Sequence, residues 1–95
     1  MKTFLTSLLL ICFINQIIAQ NLSNLSFGTD STFEVVSWNI EWFPKNGQTT
    51  ADSVKTIIQS LAADVYALQE IDDTTLLKQV VSTIPGYECY FKSDW

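Results

Sequence analysis

The chain contains no histidine and no arginine. The first absence removes the side chain that most often serves as general acid or base near neutral pH and that most often ligates metals. Any acid–base or metal chemistry must therefore come from carboxylates, amides and hydroxyls. The second absence leaves five lysines against ten acidic residues, a formal net charge of −5 over 95 residues. A groove that tracks a nucleic-acid backbone relies on clustered Lys and Arg, and this segment has no such cluster. A nucleic-acid substrate reached through a carboxylate-held metal stays open. Glycine (3) and proline (2) are scarce, so each one reads as punctuation. Of the two cysteines, Cys12 falls in a segment read below as cleaved, and Cys89 alone cannot form an internal disulfide, even in an oxidising compartment.

What the sequence does have at its start is Lys2, an apolar run from Leu8 to Ile14, a polar break at Asn15-Gln16, and Ile17-Ile18-Ala19. A basic start, an apolar middle and a small terminal residue form the pattern of a secretory signal peptide. Residues 1–19 are expected to be removed on export to a secreted or periplasmic location. The competing reading is a membrane anchor, which needs ~20 apolar residues, and Asn15-Gln16 interrupts the run. No stable membrane span is expected after cleavage, and the bulky Ile11 before Cys12 disfavours a lipid-modified cysteine. Cleavage leaves 76 residues from Gln20, with four lysines against ten acidic groups and a charge of −6. Residues 20–32 are polar, without apolar periodicity, and read as a flexible leader holding two Asn-x-Ser sequons at Asn21 and Asn24. So small a domain buries a limited share of its surface, and no disulfide supplements it. Residues 33–95 are therefore read as the incomplete opening of a longer domain.

The informative stretch runs from Phe33 to Glu70. Phe33-Glu34-Val35-Val36-Ser37-Trp38 predicts a strand running into Asn39-Ile40-Glu41, and Asp64-Val65-Tyr66-Ala67-Leu68 predicts another running into Gln69-Glu70. Their nearly continuous apolar content suits strands covered on both faces. Between them Val54, Ile57, Ile58 and Leu61 recur at helical spacing, with Thr49 and Asp52 as the expected helix start. A strand, a crossover helix and a strand make a βαβ unit with parallel strands. That topology brings Asn39 and Glu70 to one edge, where ligand sites in such sheets gather. Asp72-Asp73-Thr74 predicts the start of a second helix with Leu76, Leu77, Val80, Val81 and Ile84 on its apolar face, Pro85-Gly86 ends it, and Tyr87–Phe91 predicts a third strand. The fold class is α/β, in the order β-α-β-α-β.

Glu70, a carboxylate at a strand end, is a hard oxygen ligand of the kind Mg²⁺ or Ca²⁺ takes. Taken singly, each candidate also has a plain structural reading. Glu70 can complement the dipole of the following helix, Asn39 suits any strand-to-loop transition, and Glu41 suits a solvated loop. Taken together, Ser37-Trp38-Asn39-Ile40-Glu41 and Asp64-Val65-Tyr66-Ala67-Leu68-Gln69-Glu70-Ile71 resemble the first two motifs of the endonuclease/exonuclease/phosphatase superfamily, which includes the DNase I-like nucleases. The resemblance covers the chain after the leader and the amino-terminal portion of the family domain. It implies a sandwich of two β-sheets flanked by helices and a metal-assisted hydrolysis of phosphate esters. By position it makes Glu70 the direct ligand of a catalytic Mg²⁺, replaceable by Mn²⁺ or Ca²⁺, and Asn39 the amide that orients metal and phosphate. Glu41 stands where some members carry a second acidic metal-site residue.

The departures are equally specific. The family's catalytic histidine and its Asp-x-Asn element are missing, so the chain by itself is expected to be inactive. Two functions follow: an exported metal-dependent phosphoesterase, endonuclease-like and acting on nucleic acid, known from its opening part; or a non-enzymatic exported binding or structural module that keeps the scaffold. Substrates among nucleic acid, phospholipid and sugar phosphate are not separated by these residues. Either function requires export, so amino-terminal sequencing of the exported protein is expected to start at Gln20, and retention of Met1 in a membrane-bound product would overturn the signal-peptide reading.

Overall fold

A computed structural model describes residue 25 and residues 27–92. The predicted signal segment, Cys12 and both sequons lie outside the described residues. Val35–Phe43 form β1, Gln48–Leu61 form α1, Val65–Ile71 form β2 and Thr74–Ser82 form α2. β1 and β2 pair in parallel as a two-stranded sheet, as a crossover helix requires. Among the described residues no helix is long and apolar enough to cross a membrane.

Period-2 alternation sorts the sheet into two faces. Trp38, Ile40, Tyr66 and Leu68 pack on a core of Ala51, Val54 and Ile58 from α1 and Leu77, Val80 and Val81 from α2, with Ile84 beyond it. The opposite face carries the register pairs Val35/Val65, Ser37/Ala67 and Asn39/Gln69, and all six residues are exposed. The strands are thus covered on one face by the described residues, where their apolar content predicted cover on both.

Asp64 ties the strands together at their start. Its carboxylate accepts the Glu34 N–H at 2.7 Å, while the Glu34 carbonyl accepts the N–H groups of Asp64 and Val65 at 3.0 and 3.1 Å. At the start of α1 the expected threonine cap is replaced. The chain turns through Pro44–Gly47, with Gly47 N–H on the Pro44 carbonyl at 2.9 Å, and enters the helix with Gly47 as N-cap and no side-chain cap. Thr49 is already helical, and the neighbouring Thr50 hydroxyl accepts from Asn46 N–H instead. α2 starts as predicted. Asp73 is its N-cap, and the carboxylate accepts Leu76 N–H at 2.8 Å.

The third strand does not form among the described residues. From Tyr87 to Phe91 alternate side chains turn inward, Tyr87, Cys89 and Phe91 against the core, but the segment has no regular backbone pairing. Tyr87 donates its hydroxyl to the Ala63 carbonyl at 2.7 Å and sets its ring edge-on to Tyr66 at 5.7 Å. A cavity of about 560 Å³ lies between this segment and Val65, Tyr66 and Leu68. The segment is thus held to the sheet and its helices by side chains, without backbone pairing.

Phe43, at the end of β1, has no exposed surface, whereas the adjacent Trp42 is 60% exposed. Phe43→Ala is expected to cost about 3–5 kcal/mol, a large part of a small domain's total stability, and to collapse the far-ultraviolet helical signal. Trp42→Ala is expected to leave that signal intact.

Candidate functional site

The carboxyl edge of the sheet departs from regular pairing at the predicted residues. Asn39 is opposite Gln69, and the next register pair is Phe43 with Ile71, so four steps along β1 match two along β2. This bulge holds two consecutive residues in the left-handed region, Glu41 at φ 52° and Trp42 at φ 57°, and β2 answers with Glu70 at φ 60°. None is glycine, and such conformations cost roughly 1–2 kcal/mol each.

The result is a reversal of facing on both strands. Even-numbered residues face the helices through Ile40 on β1 and Leu68 on β2, and strict alternation would send Trp42 and Glu70 inward as well. Instead Phe43 and Ile71 turn to the core, and Trp42 and Glu70 are exposed. A carboxylate buried among apolar side chains without a partner would be heavily penalised. The left-handed turn at Glu70 avoids that and places the group at the sheet edge.

Asn39 uses its side-chain oxygen locally, accepting Glu41 N–H at 2.8 Å and so closing the first turn of the bulge. Glu41 is held by Lys45, whose Nζ lies 2.8 Å from Oε1 in an exposed pair and 5.9 Å from the Trp42 ring centroid. Gln69 donates to the Ala67 carbonyl at 2.7 Å and reaches Ser37 Oγ at 3.3 Å, which orders the face beside Asn39. Glu70 has no side-chain hydrogen bond or ion pair among the described residues. Asn39, Glu41 and Glu70 thus share one edge, but among the described residues no three His, Cys, Asp or Glu side chains come together as a metal-holding group.

The cavity beside β2 is a separate feature, and none of Asn39, Glu41 and Glu70 lines it. Burial pushes the Cys89 thiol up from its ordinary pKa against the opposing pull of Lys78. Burial, with a contribution from Tyr66, raises Tyr87 likewise. Both groups stay protonated at neutral pH, so this wall offers no thiolate nucleophile. Sequence reasoning missed the roles of Trp42, Lys45 and Asp64, since the spacing of residues carries no sign of a bulge.

Comparison with protein-family models, with curated proteins and with solved structures finds no match to this chain.

Asn39→Ala removes the acceptor on Glu41 N–H. A hydrogen bond of this kind contributes about 0.5–1.5 kcal/mol, so the Glu41 amide is expected to exchange about 2- to 10-fold faster. Asn39→Asp, which keeps an acceptor, is expected to exchange at the parent rate. Residue-resolved hydrogen exchange checks both.

Proposed function

We propose that this chain is the amino-terminal, metal-binding part of an exported phosphoesterase that hydrolyses phosphodiesters, with nucleic acid as its substrate class. One observation carries the reading. The Trp-Asn and Leu-Gln-Glu elements, whose resemblance to the endonuclease/exonuclease/phosphatase superfamily rests on sequence, come to adjacent parallel strand ends, with Asn39 opposite Gln69 and Glu70 turned out to solvent. A second sheet packed on the exposed face of Val35, Ala67 and Val65 would complete the sandwich that the resemblance implies.

The donor set fits a hard divalent cation. Glu70 offers a carboxylate, and Asn39 Oδ1 keeps one lone pair beyond the one engaged by Glu41 N–H. Mg²⁺ is commonly held by one or two such oxygens, with water and substrate phosphate filling the rest. A bound Mg²⁺ supplies polarisation of the phosphoryl oxygen and stabilises charge on the leaving group. The chain's own parts are simpler. Glu70 provides negative charge at the edge, Asn39 closes the turn at Glu41 on the facing strand, and Lys45 limits the repulsion between Glu41 and an approaching phosphate. No histidine base is supplied. On this reading the DNA downstream of the codon for Trp95 encodes the family's Asp-x-Asn element and its catalytic histidine.

The test is to read that DNA and compare parent and Glu70→Gln in the completed protein for Mg²⁺-dependent phosphodiester hydrolysis and thermal midpoint. The rate is expected to fall by at least ~100-fold, while stability, at an exposed position, changes by no more than ~0.5 kcal/mol. Parent-level activity with an unchanged Mg²⁺ response would remove Glu70 from this role. A completed protein that hydrolyses nothing would favour the binding-module reading.

A further inference from the structure

We infer that Trp42 is a substrate-reading residue, an exposed stacking platform beside Glu70 that selects phosphodiesters carrying aromatic bases over lipid or sugar phosphates. The inference rests on the reading that this sheet edge takes a phosphate ester, and it adds the part of the substrate that is recognised.

The placement is specific. Between the register pairs Asn39/Gln69 and Phe43/Ile71, the bulge sets Ile40, Glu41 and Trp42 against the single residue Glu70, so Trp42 and Glu70 leave the same short stretch of the strand pair. Both adopt left-handed backbone, and Glu41 does too. An isolated surface aromatic needs no explanation, but this one sits where strand alternation would bury it. The bulge buries Phe43 completely and leaves the indole 60% exposed. Strain of this kind, seen at a strand end, is a reason to look for function. Glu41, whose N–H is held by Asn39, in turn holds Lys45, and Lys45 Nζ stands 5.9 Å from the indole centroid. Asn39 therefore reaches Trp42 through the turn that it closes at Glu41.

An indole beside a phosphate-binding edge offers a π surface that every nucleobase can stack on, without sequence preference. A saturated acyl chain or a sugar hydroxyl has no matching face. A divalent cation held at Glu70 would attract the phosphate, Lys45 would offset Glu41 beside it, and the base adjoining that phosphate would fall on Trp42.

The experiment measures equilibrium binding of the full chain to three probes, with Mg²⁺ throughout: a short thymidine oligonucleotide, an abasic oligonucleotide of the same length, and phosphatidylcholine vesicles. The base-bearing strand is expected to bind on the order of tenfold more tightly than the abasic one. Trp42→Leu should erase that difference, Trp42→Phe should keep most of it, and Glu70→Gln should weaken both strands alike. Circular dichroism confirms that each variant keeps its helices, and the phenylalanine variant carries the test if the leucine variant does not. Equal affinity for the two strands, no binding of either, or an undiminished preference in Trp42→Leu would overturn the inference. So would vesicle binding that is lost in Trp42→Leu, which assigns the indole to a lipid interface. Hydrolysis is not the readout. A base preference through Trp42, together with a completed protein that cleaves nothing, leaves this inference standing and removes the phosphoesterase reading. Mg²⁺-dependent cleavage without any base preference does the reverse.

Discussion

Phe43 joins three elements at one point. Its ring is wholly buried, its backbone is in register with Ile71, and its carbonyl accepts the N–H groups of Asp72 and Asp73 at 3.0 and 3.1 Å. The end of β1, the end of β2 and the entry to α2 are therefore fixed to one residue. Burying the ring is worth about 1.5–3 kcal/mol, similar in size to the strain of the two left-handed residues before it. The bulge is tolerated because its far side is anchored, and its consequence is that Trp42 and Glu70 leave the core together.

The sheet that carries this edge is supported unequally. On the helical face, the hydroxyl of Tyr66 donates to the Ile58 carbonyl and accepts Ala63 N–H, each at 2.9 Å, and among the described residues no buried side-chain polar atom lacks a partner. The opposite face leaves Val35 57% and Val65 44% exposed, with Phe33 at 74% beside them. Paired apolar residues exposed on a two-stranded sheet are costly in water. The contrast places the packed, fully hydrogen-bonded layer between sheet and helices, and the candidate site lies where that layer ends.

Much of this architecture was legible from spacing. The apolar faces of α1 and α2 follow from i, i+3, i+4 recurrence, and Val54, Ile58, Leu77, Val80 and Val81 are buried as that pattern requires. The start of α2 was visible in the acidic stretch Asp72-Asp73-Thr74 before an apolar face, and Asp73 is the residue that caps it. The parallel pairing followed from the crossover helix. What could not be read are features decided by geometry across the chain. Tyr87–Phe91 has strand composition, but composition does not specify a pairing partner, and the segment packs through side chains such as Tyr87 on Tyr66 instead. The Gly47 cap replaced Thr49 because the Pro44–Gly47 turn closes first. The shared edge of Asn39 and Glu70 was legible. The reversal that exposes Glu70 was not, since alternation alone sends that carboxylate into the core.

The electrostatics of this edge constrain what can approach it. Glu41 and Glu70 lie at the strand ends, and Asp72 and Asp73 follow within hydrogen-bond reach of Phe43. Lys45 offsets Glu41, but Glu70 meets no cation among the described residues. Two like charges about 4 Å apart repel by ~1 kcal/mol in bulk water and by ~4 kcal/mol at an effective dielectric near 20. A phosphate ester therefore gains nothing from this edge by itself. On the proposed reading, a divalent cation held at Glu70 would reverse this, and the same carboxylate would become the reason the ester is held. The acidic character that argues against direct backbone binding is thus the property a metal-bridged site requires.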